Sequence, residues 1–223
     1  MGLSRRSKLS IRLPGVPWLE TRCFWRERFG SVEVLPNSGR KELIMKSRIN
    51  LASPHQLGFV VDDLDSAIKN FAQTLNVGPF FVLDAFDYDI IYKGTKSKPR
   101  MSVAFSYMDE TQIELICQHN DAPSVYSEFK SKHETGIVHL GYFVENPQDY
   151  LRALDGQAEV VQYGDDGVTK DSFYCSFAPF GGGLVEFTEL HAPRKARWEF
   201  MKAAARDWDG KTLVRPYSDA VSK

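Results

Sequence analysis

The chain has 223 residues and a mass of 25.3 kDa, room for one large domain or two small ones. With 43% hydrophobic and 26% charged residues, and 15 Phe, 9 Tyr and 4 Trp, it carries ample core material, which excludes disorder along its whole length. The net charge of −1 supplies no field for a nucleic-acid partner, and no apolar run reaches the roughly 18 residues of a membrane-spanning helix, so neither nucleic acid nor membrane is an expected partner.

The charge is unevenly spread. Residues 1–44 hold nine Lys/Arg and four Glu, a net +5, so the remainder carries −6. Pro14, Pro17 and Pro36 interrupt this basic stretch, no strand or helix period runs through it, and no apolar core of a secretory signal is present. It resembles a transit peptide in its Arg and Ser content, but Glu20, Glu27 and Glu33 count against that, so residues 1–50 are expected to be a poorly ordered leader. Met45, just before the first patterned segment, is an alternative translation start, which would make residues 1–44 an upstream extension. Cys23, Cys117 and Cys175 are an odd, widely spaced set without CxxC spacing, which argues against a disulfide framework and for a reducing, cytoplasmic setting.

The pattern after residue 50 predicts two similar units. His55–Val61 reads as a strand rich in apolar and β-branched residues. Asp62–Leu75 reads as a helix capped by Asp62 or Asp63, with Leu64, Ile68, Phe71 and Leu75 at helical spacing. Asn76–Pro79 breaks it. Phe80–Phe86, Met101–Tyr107 and Thr111–Cys117 read as strands, with Lys93–Pro99 as a charged loop. The order then recurs. Ile137–Val144 is a strand, Asn146–Leu154 a short helix with Asn146 as cap and Pro147 in its first position, and Ala158–Tyr163, Ser172–Phe177 and Gly183–Leu190 are strands. Laying His55 on His139, an offset of 84, matches Phe59 to Phe143, Val60 to Val144 and Asp65 to Asp149. In the tail, Trp198, Met201, Ala205 and Trp208 mark one face of a helix packed on the body, and the last dozen residues read as irregular.

Four residues recur at matching places. His55 and His139 lie in the first strand of each unit, and Glu114 and Glu186 in the last. Glu114 is flanked by Ile113 and Leu115, and Glu186 by Val185 and Phe187. A carboxylate in an apolar strand needs a partner, and one divalent metal would serve all four. Two imidazoles and two carboxylates suit Zn, Ni, Co, Mn or Fe(II). His119, His133 and His191 fall at strand ends or in loops and read as solvated. Phe59, Tyr142, Phe143 and Tyr174 could wall a pocket, although aromatics in strands more often belong to the core.

The segments HQLGFVVDDLDSAIKNF, TQIELI, GIVHLGYFV and FAPFGGGLVEFTEL, taken in order, resemble the vicinal oxygen chelate superfamily over Ser53–Leu190. That superfamily includes glyoxalase I, methylmalonyl-CoA epimerase, extradiol dioxygenases and bleomycin-resistance proteins. The resemblance implies an α+β fold in which two paired βαβββ modules, 53–118 and 136–190, form an open cupped mixed sheet around a metal site. The domain would span 51–192, with a C-terminal helix and tail over 193–223. It implies one divalent metal held by His55, Glu114, His139 and Glu186. The expected chemistry is that of a metal-dependent isomerase, epimerase or lyase acting on a small-molecule substrate. The metal would stabilise an enolate while Glu186, or else Glu114, moves an α-proton. Two other readings stand beside it: a ring-cleaving Fe(II) dioxygenase using His55, His139 and Glu186, and a non-catalytic small-molecule binding or resistance protein. A homodimer would cover the edges of the cupped sheet.

Overall fold

The structure is a computed structural model describing residues 51–154, 156–164, 172–177, 181 and 183–221. The leader expected over residues 1–50 lies outside them.

Strand β1 (Gln56–Val60) alternates in burial: Gln56, Gly58 and Val60 face one side of the sheet, Leu57 and Phe59 the other. Helix α1 (Leu64–Leu75) starts at Asp63, whose carboxylate accepts the Ser66 N–H at 2.7 Å, and ends at Asn76, held left-handed at φ 54°. Strand β2 (Phe80–Asp87) follows. The stretch expected as a charged loop instead forms a hairpin, β3 (Ile90–Tyr92) and β4 (Thr95–Ser97). Lys93 and Gly94 both take positive φ, the hand that a two-residue hairpin turn requires. Strands β5 (Arg100–Met108) and β6 (Thr111–Gln118) complete the first module.

Helix α2 (Val125–His133) links the modules and has no counterpart in the sequence reading. Ser124 caps it, and the return bond of the capping box comes from a second serine, Ser127, rather than the usual Glu or Gln. The second module runs β7 (Gly136–Val144), α3 (Pro147–Ala153), β8 (Ala158–Gly164), β9 (Ser172–Phe177) and β10 (Gly183–Glu189). Helix α3 has Asn146 as cap and Pro147 in its first turn, as the sequence pattern predicts. Helix α4 (Ala192–Arg206) follows. The tail read as irregular forms β11 (Val214–Pro216) and α5 (Ser218–Val221).

All eleven described strands form one mixed sheet, in the order β11-β2-β5-β6-β1-β7-β10-β9-β8-β3-β4. The two modules are visible in that order. Four strands, β2-β5-β6-β1, meet four, β7-β10-β9-β8, along the antiparallel β1–β7 seam, so the modules pair within one chain. The hairpin β3–β4 leaves module one and adds to β8 of module two, while β11 adds parallel to β2 at the opposite edge. None of the described helices is long and apolar enough to cross a membrane.

One face of the sheet is covered by α1 and α3. Leu64 and Ile68 pack on Phe80, Ala104, Ile113 and Leu115, and Leu154 packs on Tyr142, Phe173, Val185 and Phe187. The other face forms the inside of the cup. There, Val125 and Tyr126 of α2 meet Val60, Val103, Ile116, Val138, Val161 and Tyr174. Helix α4 covers the module-one half by setting Met201 against Phe81 and Tyr107.

Met201 is fully buried, so Met201→Ala is expected to lower unfolding stability by about 2–5 kcal/mol in urea denaturation. A loss below about 0.5 kcal/mol, the usual range for surface substitutions, would mean that α4 does not dock through this residue.

Candidate functional site

The seam between the modules builds the site. In the parallel β1–β6 pair, Glu114 stands opposite Gly58, and in the parallel β7–β10 pair, Glu186 stands opposite Gly141. Gly58 lies two residues after Gln56, and Gly141 two residues after His139. The modules are therefore related by the 83-residue offset that separates Gln56 from His139, not by 84. One residue of offset reverses which side chains face the cup.

The structure brings together Glu114, His139 and Glu186, whose ligand-capable atoms lie within 4.8 Å of one another. It does not bring in His55. That residue sits just outside β1, where its Nδ1 accepts the Phe143 N–H at 3.1 Å and its ring stacks on Phe143 with centroids 5.4 Å apart. Partial burial lowers its pKa. Strand alternation accounts for where His55, expected as a ligand, is placed: Gln56, the next residue, carries the cup-facing side chain. Gln56 Oε1 lies 3.0 Å from His139 Nε2. The signal for it was present in the sequence, since QLGF in β1 matches HLGY in β7 without a gap.

Two glycines make the close approach possible. A Cβ on Gly58 would lie 2.0 Å from His139 Cε1, and one on Gly141 would lie 2.5 Å from Gln56 Oε1. Each module thus supplies a glycine floor for the other module's first-strand side chain.

The polar atoms of the site outnumber the hydrogens available to them. His139 Nε2 faces Glu114 Oε2 at 3.3 Å, Glu186 Oε2 at 3.2 Å and Gln56 Oε1 at 3.0 Å. A single ring nitrogen has at most one hydrogen to offer three oxygens. Glu114 Oε2 is buried and makes no hydrogen bond, whereas Glu186 Oε1 accepts the Ser172 hydroxyl. One nitrogen and three oxygens converging with an orphaned carboxylate oxygen fit a divalent cation of the Zn, Ni, Co, Mn or Fe(II) kind. The imidazole side chain is sealed from solvent, while the carboxylate side chains of Glu114 and Glu186 keep 12% and 11% exposure. Approach is therefore from the carboxylate side.

Electrostatics separates the two carboxylates. Burial raises the Glu114 carboxyl above its ordinary range, against the pull of His139. Burial also pushes Glu186 upward, but His139 and the hydroxyls of Ser172 and Thr188 outweigh it and hold the carboxyl low. For His139, burial disfavours the charged ring, yet the two carboxylates more than reverse this and push its pKa up to about 9.

Tyr174 walls the cluster, with its ring edge-on to His139 at 5.2 Å and its hydroxyl 2.7 Å from that of Tyr126 on α2. Of the other aromatics expected there, Phe59 packs on Phe71, Tyr142 on Phe187 and Phe143 on Trp198, all away from the cluster. Two histidines read as solvated are engaged: His119 Nε2 lies 2.7 Å from Ser102 Oγ, and His191 caps α4.

Two outcomes follow from this geometry. His139 has a folded pKa above its unfolded value of 6.5, so its stabilising contribution is complete below pH 6.5 and is lost as pH rises through about 9. The metal-free chain should therefore melt at falling temperature between those pH values, and His139→Gln should flatten the slope; an unchanged slope would contradict the carboxylate–imidazole contact. Gly58→Ala should displace the imidazole and lower metal affinity by about 10-fold or more, the scale of disturbed ligand orientation. A metal titration giving wild-type affinity would contradict the cradle.

The sequence profile of the glyoxalase/bleomycin resistance protein/dioxygenase superfamily matches residues 55–177, more than half of the chain. No curated protein gives a significant sequence match. Among solved structures, the chain is similar to a hypothetical protein from Bacillus halodurans C-125, at 18% identity over 62% of this chain and 94% of that one, with a TM-score of 0.46. It is also similar to methylmalonyl-CoA epimerase from Mycobacterium tuberculosis, at 24% identity over 65% of this chain and 91% of that one, with a TM-score of 0.43. A third is the Streptomyces coelicolor methylmalonyl-CoA epimerase, at 14% identity over 64% and 99%, with a TM-score of 0.41. With paired βαβββ modules meeting at one seam and the profile matched over more than half of the chain, from β1 to β9, the chain belongs to the glyoxalase/bleomycin resistance protein/dioxygenase superfamily, the vicinal oxygen chelate group.

Proposed function

We propose that this protein is a metal-dependent isomerase, epimerase or lyase that moves an α-proton on a small carbonyl or acyl substrate. The observation that carries the reading is the convergence of Gln56, Glu114 and Glu186 oxygens on His139 Nε2, with one carboxylate oxygen left unbonded. Those four residues would hold the metal. When bound, the metal supplies Lewis-acid stabilisation of the oxyanion that forms as the α-proton leaves.

The two glutamates differ in freedom. Glu186 is clamped by Ser172, which suits a fixed ligand. Glu114 has no such hydroxyl clamp, its Oε2 facing His139 Nε2 at 3.3 Å, which suits a carboxylate able to change its bonding as it takes up and returns a proton. Glu114 is therefore the favoured base and Glu186 the favoured anchor, the reverse of the order expected from sequence. His139 and Gln56, lying on the glycine floors, orient the site, and the Tyr126–Tyr174 pair shields one side of it from water.

The cluster holds one histidine, with Gln56 where a second would stand. The two-histidine, one-carboxylate set of a ring-cleaving Fe(II) enzyme is thus not assembled among the described residues. A purely binding role is disfavoured by the presence of an ordered imidazole–carboxylate cluster.

Elemental analysis of protein prepared without chelator or His-tag should find close to one equivalent of divalent metal, lost in His139→Ala. The metal-loaded protein should wash deuterium from solvent into the α-carbon of a member of an acyl thioester and 2-oxo compound panel. Glu114→Gln should slow that exchange about 100-fold or more, the contribution of a positioned general base, and Ser172→Ala much less. Absence of exchange above the metal-stripped control, across the panel, would remove the proton-transfer reading, and failure to load any metal would remove the site.

A further inference from the structure

We infer that Gln112 is a positioning residue that decides which end of the Gln56 amide faces the metal. This rests on the metal-site reading above. A carboxamide has an oxygen that a cation attracts and an NH2 group that it repels, and the two ends have nearly the same shape. Packing around Gln56 is therefore a poor selector between them, and hydrogen-bond direction is the effective one.

The direction is written in a buried chain. Gln56 Nε2 donates to Gln112 Oε1 at 2.8 Å, and Gln112 Nε2 donates onward to the Tyr107 hydroxyl at 2.9 Å. With its NH2 group used, Gln56 is left presenting Oε1 to the cluster, 3.0 Å from His139 Nε2. Gln56, Gln112 and Tyr107 are all buried, so water does not substitute freely for a missing partner. If Gln112 turned over, its NH2 would face Gln56 and call for an oxygen there. Gln56 would then point its own NH2 at Glu114 and Glu186, and the oxygen ligand would be gone.

The fold places these three side chains at one level. Gln112 pairs with Gln56 in the parallel β1–β6 register and with Tyr107 in the antiparallel β5–β6 register, one pleat away from Glu114. Gln112 shares the cup-facing side of β6 with Glu114 because the two are two positions apart, with Ile113 between them. Both ends of the Gln112 amide are taken up by Gln56 and Tyr107, so its action on the metal runs through Gln56.

The test is zinc affinity of the full chain, measured by competition with a chromophoric chelator, in a double-mutant cycle. Gln112→Leu should weaken zinc binding about 10- to 100-fold, as loss of a ligand's supporting hydrogen bond does elsewhere. In a Gln56→Glu background the same change should cost less than about 3-fold, because a carboxylate offers an oxygen at either end and has no orientation to lose. Gln112→Glu, which can only accept from Gln56 Nε2, should retain wild-type affinity or exceed it. Should Gln112→Leu not fold, the nearly isosteric Gln112→Met carries the same expectation. Equal losses in both Gln56 backgrounds would overturn the inference in favour of general packing, as would an unchanged affinity in Gln112→Leu. A wild-type chain that binds no zinc or other divalent metal would overturn the metal-site reading itself, and the inference with it.

Discussion

The antiparallel pairing of β1 with β7 is the constraint on which the rest of the site depends. It sets Gly58 opposite His139 and Gly141 opposite Gln56, so each module's first-strand side chain lies across the other module's glycine. The parallel neighbours β6 and β10 then deliver Glu114 and Glu186 at the same level. A slip of one residue in β1 would send Gln56 to the helix-covered face and bring Leu57 into the cup. Register here is held by more than side-chain preference. His55 N–H donates to Gly141 O at 2.9 Å, Gln112 N–H to His55 O at 2.8 Å and Phe143 N–H to His55 Nδ1 at 3.1 Å. His55 is thus a strand clamp, fixing the alignment that puts its neighbour in the site.

That role explains why part of the site was legible in the sequence and part was not. Glu114, His139 and Glu186 stood out because each interrupts an apolar strand, and burying a charge among Ile, Leu, Val and Phe side chains demands compensation. Gln56 gave no such signal, because a neutral amide is far cheaper to bury and is common in strands without purpose. His55 drew attention by residue type, and an imidazole one position away from the cup face looks the same in a linear pattern as one on it. The QLGF and HLGY matches carry the correct alignment, and the glycine in each is the physically decisive residue, since only there can a facing side chain lie flat on the backbone.

The fold shows the same division. The strands and helices of the βαβββ units were readable because their apolar residues follow a period of two or 3.6 and because Asp63 and Asn146 are strong caps. Helix α2 was not readable. Its buried residues, Val125 and Tyr126, fall together at one end and leave no stripe, and its capping box is built from two serines. The β3–β4 hairpin was hidden by its exposed second strand, and its first strand takes its pairing from β8, far away in the chain. β11 is three residues long and takes its order from the edge of β2, with Phe80 N–H bonded to Leu213 O and Tyr217 N–H to Val82 O. Each missed element is one whose structure comes from tertiary contact rather than local pattern.

The two modules are alike in strand order but unlike in what fills their concave faces, and this asymmetry bears on chemistry. Helix α4 closes the module-one half with Met201 on Phe81 and Tyr107, while α2 lies across the seam, packed on residues of both modules, and carries Tyr126 to Tyr174 beside the imidazole. Helix α2 is itself tied down through its first turn. Val125 N–H donates to Gln162 Oε1 at 3.0 Å, and Glu128 receives Lys93 at 2.7 Å and the Tyr92 hydroxyl, both from the hairpin that module one sends across. The Glu128 carboxyl is held down to about 2 by Lys132, Lys93 and Tyr92, so this tether stays charged at neutral pH. A helix fixed in this way keeps water from one side of the cluster without a moving lid. Solvent-accessible area in the cluster then falls on the two carboxylates, and of these Glu186 is pinned by Ser172 while Glu114 is not. An exchange of protons needs a group that is both reachable and free to change its bonding. In the proposed reaction, the Ser172 clamp on Glu186 and its absence on Glu114 make Glu114 the better fit to that description.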